Sequence, residues 1–231
     1  MSTSVGTLHE QGRSALLAGR PALDTPPVDG GRRWGLSVVV RADGALADRL
    51  AGVTDELIGV AGPGQWATGG RGSAHLTLYS LEPHRAGVDT TDERAAAYAA
   101  AVEDTARTVG TATFTVTGLS LTPGGVIADA EPADDAARRL RPTLSRALPG
   151  GAAFESTYRA DRWWLTLVHL AAPPTDPAGL VDWVEARRGL ELGTLHAERL
   201  ELVRYEHRSD PAGARTVPVT LASTELAAGD G

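Results

Sequence analysis

In the run SAHLTLYSLEPHR at 73–85, His75, Thr77 and Tyr79 alternate with Leu76, Leu78 and Ser80. A period of two is the pattern of a half-buried strand, whose successive side chains point to opposite faces. One face is then leucine on a core, and the other carries an imidazole, a hydroxyl and a phenol in a row. An unperturbed imidazole titrates at about 6.5, so it both takes and gives protons at working pH. A neighbouring hydroxyl donates to an oxygen on which negative charge develops. That pairing suits acid–base chemistry on an oxyanion, and such chemistry needs a second proton-transfer group.

The run RWWLTLVHLAAP at 162–173 reads as a second strand, and its WLTL (164–167) repeats the HLTL of 75–78. Thr166 matches Thr77, but Trp164 stands where a second histidine would. An indole only donates a hydrogen bond and exchanges no proton at neutral pH. His169 is the better substitute on this strand, with His84, in a Pro-containing loop, behind it. Five residues separate His169 from Trp164, so a straight strand turns His169 to the face opposite Trp164 and Thr166. Only a bulge re-aims it, and no Gly or Pro from 163 to 170 marks one. The straight strand, with loss of the second group, is the preferred reading.

Further candidates surround the two motifs. Tyr79 shares the His75 face, and Trp164 offers a stacking surface for a base. Arg71 and Arg162 each shortly precede a motif and have bidentate reach for a phosphate. The plain alternatives are a strand histidine with a local hydrogen bond, tryptophans in packing roles and solvated arginines. His9, His196 and His207 receive no role.

The elements that position these residues follow from pattern. Residues 1–32, polar and rich in Gly and Pro, read as a flexible arm or cover. A strand is predicted at 34–41, a helix at 47–61 and a loop at 62–73, whose GPGQWATGG opens no helix and so fails as a phosphate loop. TDERAAAYAAAVEDTARTVG (91–110) is the clearest helix, capped by Thr91 or Asp92 and ended by Gly110. A hairpin turning at Pro123, Gly124 and Gly125 follows, then a helix at 134–148 that Pro142 should break or kink. After the second motif strand come a helix at 176–190 with Asp176 as cap and a strand at 195–208. Residues 209–231 read as a frayed tail. Mixed order, a hairpin and two strand–helix–strand units give an α+β fold for 33–208, with two pseudo-symmetric lobes around a central cleft and a mainly antiparallel sheet.

Composition narrows the partners. The chain has 231 residues and no cysteine, which excludes thiolate catalysis and disulfides. Every basic residue is arginine, and the net charge is −7. No basic stripe serves a long polyanion, so a small ligand is favoured over long nucleic acid. No apolar run reaches membrane length and no signal-peptide core is present, so a cytoplasmic protein without membrane contact is expected. No histidine–carboxylate spacing suggests a metal site.

A strand with His-x-Thr-Leu and a paired copy one unit later resembles the two-histidine (2H) phosphoesterase superfamily, the 2′-5′ RNA ligase-like proteins, over roughly residues 34–208. The resemblance implies two lobes around a cleft, each giving one His-x-Ser/Thr pair. It also implies opening of 2′,3′-cyclic phosphates or reaction of 2′-5′ phosphodiesters, with no metal or other cofactor and a small nucleotide-like substrate. Carried over, His75 is a catalytic imidazole, Thr77 and Thr166 are phosphate donors, and Trp164 departs from the pattern. The chain is then either a phosphodiesterase using His75 with His169, or a relative that binds a small ligand in the same cleft without the reaction.

Overall fold

The computed structural model describes residues 5–150, 162–210 and 213–228. In chain order the elements are α1 (Val5–Leu17), β1 (Ser37–Arg41), α2 (Gly44–Ala61), β2 (Trp66–Ala67), β3 (His75–Ser80), α3 (Glu93–Thr108) and β4 (Ala112–Thr122). They continue with β5 (Gly125–Pro132), α4 (Asp135–Ala147), β6 (Trp163–His169), α5 (Pro177–Glu185), β7 (Glu191–Ala197), β8 (Arg199–Asp210) and β9 (Gly213–Glu225). The fold is α+β, with a sheet in the order β2-β9-β8-β1-β3-β6-β5-β4-β7. A further β2–β6 pairing curls the first six of those strands onto themselves. Among the described residues the named strands pair antiparallel except β2 with β9. The two motif strands β3 and β6 are direct neighbours, joined at Leu76↔Leu165.

Local chemistry sets the helix starts. Asp92, Asp134 and Asp176 each accept a backbone N–H three residues on, from Ala95, Ala137 and Gly179. Such a cap contributes about 1 kcal/mol. Helix α2 buries Leu46, Leu50, Leu57 and Ala61 at helical spacing. Pro142 lies inside α4, which nevertheless continues to Ala147. The main core joins these helices to one face of the sheet through Val38, Val40, Leu76, Leu78, Leu165 and Leu167. On the other face a smaller cluster of Val39, Val203 and Tyr205 packs with Trp34.

Both chain ends differ from the expected arm and tail. Apart from residues 1–4, outside the described residues, the first segment opens with a helix packed on the sheet rather than a free arm. Helix α1 runs along the part of β4 that β7 leaves unpaired beyond Thr117. Leu8 and Leu16 are buried. His9 accepts the Leu121 N–H on Nδ1 at 3.2 Å, and its Nε2 lies 3.0 Å from Glu185. Gly12 allows this approach, because a Cβ there would come 2.7 Å from Leu121 and Thr122 backbone. A sheet edge needs such a cover, and the polar text of 1–32 hid it. At the other end β9 pairs with β8 from Arg199↔Glu225 to Asp210↔Gly213. Among the described residues its strand pairing beyond β8 is limited to Trp66↔Ala214 of β2, so β9 is largely an edge strand and tolerates Pro218. Residues 211–212 and 229–231 of the expected tail lie outside the described residues. Among the described residues no helix is long and apolar enough to cross a membrane.

Candidate active site

Strand β3 keeps the expected alternation through Thr77: Leu76 is buried while His75 and Thr77 are half-buried. It then bulges. Its partner β1 pairs Val39 with Thr77 but Val38 with Tyr79, skipping Leu78. Strand β6 bulges at the matching place. Ile127 pairs with Thr166 but Val126 with Val168, skipping Leu167. Leu167 and Val168 are both buried, and His169 returns to the half-buried face of Trp164 and Thr166. The straight-strand expectation is therefore corrected. One extra residue shifts the parity, which is what a bulge does. No Gly or Pro in the strand announced it, but Gly125 stands opposite His169. A Cβ on Gly125 would come 2.2 Å from the Val168 carbonyl oxygen.

His75, Thr77, Ser80, Trp164, Thr166 and His169 line one cavity of about 570 Å³. In the antiparallel register set by Leu76↔Leu165, His75 lies beside Thr166 and Thr77 beside Trp164. Arg32, Arg33, Trp34 and Tyr205 complete its polar and aromatic wall.

Each imidazole is held through Nδ1. That of His75 lies 2.7 Å from the Ser73 carbonyl, which only accepts, so Nδ1 carries the proton. Nε2 of His75 then accepts from the Tyr205 hydroxyl at 3.1 Å. For His169, Nδ1 lies 2.9 Å from an Asp24 carboxylate oxygen and 3.3 Å from Arg33 Nη2. Arg33 is closer to the carboxylate, at 2.8 Å. Trp34 meets the His169 ring edge-on at 4.8 Å and the Tyr205 ring at 5.5 Å. It does so from a left-handed backbone at φ 67°. That conformation is unfavourable for a bulky side chain and concentrates at functional sites.

No protein-family model and no curated protein matches this sequence. Solved structures do match in shape. TT0787 of Thermus thermophilus superposes with TM-score 0.58 at 20% identity, covering 84% of this chain and 98% of that one. A protein described as a phosphoesterase gives 0.53 at 15% identity, with the same coverage. E. coli LigT complexed with 3′-AMP gives 0.50 at 14%, again covering 84% and 98%. The chain has the fold of the two-histidine phosphoesterases.

Within that two-histidine fold, the other sequence candidates scatter. The β3 bulge turns Tyr79 onto the core, and Ser80 takes the cavity side. Exposed Arg71 pairs with Asp48 outside the cavity lining. Arg162 is buried, with its guanidinium 6.0 Å from the Trp164 ring, also outside the lining. His84 holds the Trp34 carbonyl at 3.0 Å, and His207 packs tilted against Trp66 at 4.3 Å. Among the described residues no three His, Asp or Glu side chains group to hold a metal ion.

Sequence reasoning missed Asp24, Arg32, Arg33, Trp34 and Tyr205, which reach the site from outside the motif strands. It also missed Arg141. This buried arginine of α4 donates to the carbonyls of Thr77, Leu78 and Arg162 at 3.1, 3.1 and 2.6 Å. Its guanidinium lies 3.7 Å from the Trp163 ring centroid, so one cation clamps the backs of both motif strands.

Proposed function

We propose that the protein is a phosphodiesterase of the two-histidine type, acting without a metal on a small nucleotide that carries a 2′,3′-cyclic phosphate or a 2′-5′ phosphodiester. His75 and His169 exchange the protons. One imidazole takes a proton from water as its oxygen bonds to phosphorus. The P–O bond to the ribose oxygen breaks, and that oxygen takes a proton from the other imidazolium. Thr77 and Thr166 donate to the phosphate oxygens as charge builds on them. Arg32 and Arg33 favour an anionic ligand, and Trp34 and Trp164 suit a base between aromatic walls.

The observation that carries this reading is the Leu167 bulge, which returns an imidazole to the face of the degenerate motif. The net charge of −7 favours a small nucleotide over a long polyanion. LigT, of the same fold, has been crystallised with 3′-AMP. A second reading, a nucleotide-binding protein without turnover, is favoured by the Tyr205 hydroxyl resting on Nε2 of His75.

Incubation with 2′,3′-cyclic nucleotides and a chelator separates the two. Ring opening that falls about 10²- to 10⁴-fold in both His75→Ala and His169→Ala is the expected result. Binding without turnover supports the second reading. Turnover that survives His169→Ala overturns the assigned pair.

A further inference from the structure

We propose that Asp24 is the positioning residue of His169, and that the Asp24–His169 pair is the proton-transfer unit that replaces the histidine absent at 164. This rests on the proposed acid–base use of His169, and it adds that the unit is completed by the segment before β1, outside both motifs.

Backbone hydrogen bonds place Asp24. The Ala22 N–H donates to the Pro123 carbonyl and the Asp24 N–H to the Leu170 carbonyl, each at 2.7 Å. Leu170 itself donates to the Gly124 carbonyl at 2.9 Å. The chain is thereby pinned both to the β4–β5 turn and to Leu170, one residue beyond His169. The carboxylate is 3% exposed, and a carboxylate buried that deeply requires compensation. One oxygen faces both His169 Nδ1 and Arg33 Nη2.

The chemistry follows from what each atom can do. Arg33 only donates and Asp24 only accepts, so their contacts with Nδ1, at 3.3 and 2.9 Å, favour opposite tautomers of neutral His169. The shorter one, to the carboxylate, favours the proton on Nδ1. Nε2 then keeps the lone pair that takes a proton. On protonation the adjacent negative charge stabilises the imidazolium. Arg33, on the same oxygen, limits that effect and holds the carboxylate still. Arg32, His75 and Tyr205 are the other titratable groups lining the same cavity. His75 is held differently, by a neutral carbonyl on Nδ1. The two imidazoles thus sit in unlike electrostatic settings, which suits different roles in one reaction.

A merely structural role, with Asp24 tying the N-terminal segment to β6, predicts the same contacts. Imidazole nitrogen NMR separates the two, with the His169 signal assigned by its loss in His169→Gln. The full chain is compared with Asp24→Ala and Asp24→Asn. Asn keeps an acceptor for Nδ1–H but no charge, and its folding serves as the control. The expected result is a His169 signal protonated on Nδ1 in the wild type and in Asp24→Asn, and redistributed between the nitrogens in Asp24→Ala. With 2′,3′-cyclic nucleotide, kcat falls about 10- to 100-fold in Asp24→Ala, a typical effect of removing a group that orients a functional imidazole, while KM holds. An unchanged tautomer and kcat in Asp24→Ala overturn the proposal. A tautomer change in a protein without wild-type turnover keeps the positioning role and sinks the phosphodiesterase reading instead.

Discussion

Ser80 and His169 occupy equivalent places on the two motif strands. Each is the third residue after the motif threonine, each follows a bulge at the intervening leucine, and each lines the cavity. The two units therefore repeat HLTLxS and WLTLxH in three-dimensional detail, with the histidine at the first position of one and the last of the other. The pseudo-symmetry of the backbone is kept while the imidazole changes place between two positions on the same face.

That exchange predicts the outcome at Trp164. With His169 as the proposed second group, Trp164→His adds an imidazole that the reaction does not need, so cyclic-phosphate hydrolysis does not rise. Nucleotide binding weakens by about 1–3 kcal/mol through the lost stacking surface. Steady-state kinetics and a binding titration check both. A large gain in turnover would show that the second group is absent from the wild type.

Gly125 is predicted to guard the bulge. Gly125→Ala drives a methyl against the Val168 carbonyl, which backbone cannot yield cheaply. Overpacking of that kind costs about 1–3 kcal/mol. The urea midpoint should fall, and turnover should fall further than in an equally destabilised variant far from β6. Equal losses in the two variants would remove the link between the bulge and the site.

Arg141 should prove structural and irreplaceable. Arg141→Met leaves the carbonyls of Thr77, Leu78 and Arg162 without that donor, a total cost of at least about 3 kcal/mol at the usual cost of a buried orphan. Arg141→Lys restores little, because a compact ammonium lacks the planar fork that spans three acceptors. Equilibrium unfolding that finds Lys equal to Arg contradicts this account.

Asp129 ties stability to pH. Burial pushes its carboxyl up to about 6, against the hydrogen bond from Ser120 and the charge of Arg188, which pull it down. A carboxyl raised on folding binds more protons in the folded state, so stability falls as pH rises from about 4 to 6 and stays lower above that. The full shift corresponds to no more than about 3 kcal/mol. Asp129→Asn should therefore raise the Tm at pH 7.5 and change it little at pH 4. A pH-independent difference would contradict the assignment.

The sequence by itself determined what neighbouring residues decide. Alternation placed His75 and Thr77 on one face of a strand, and Thr166 on the matching face of its copy. Asp92 and Asp176 announced helix starts because a cap acts within one turn. The absence of cysteine bounded the chemistry outright. Parity then failed at His169, because a bulge is a property of a strand pair: the register of Val126 and Ile127 against β6 sets it, and Gly125 accommodates it. The same failure turned Tyr79 inward. Tertiary structure alone brought Asp24 to His169 and Tyr205 to His75. Their codes carry no periodicity pointing to distant partners, and the 1–32 text looked mobile until the edge of β4 gave α1 something to cover.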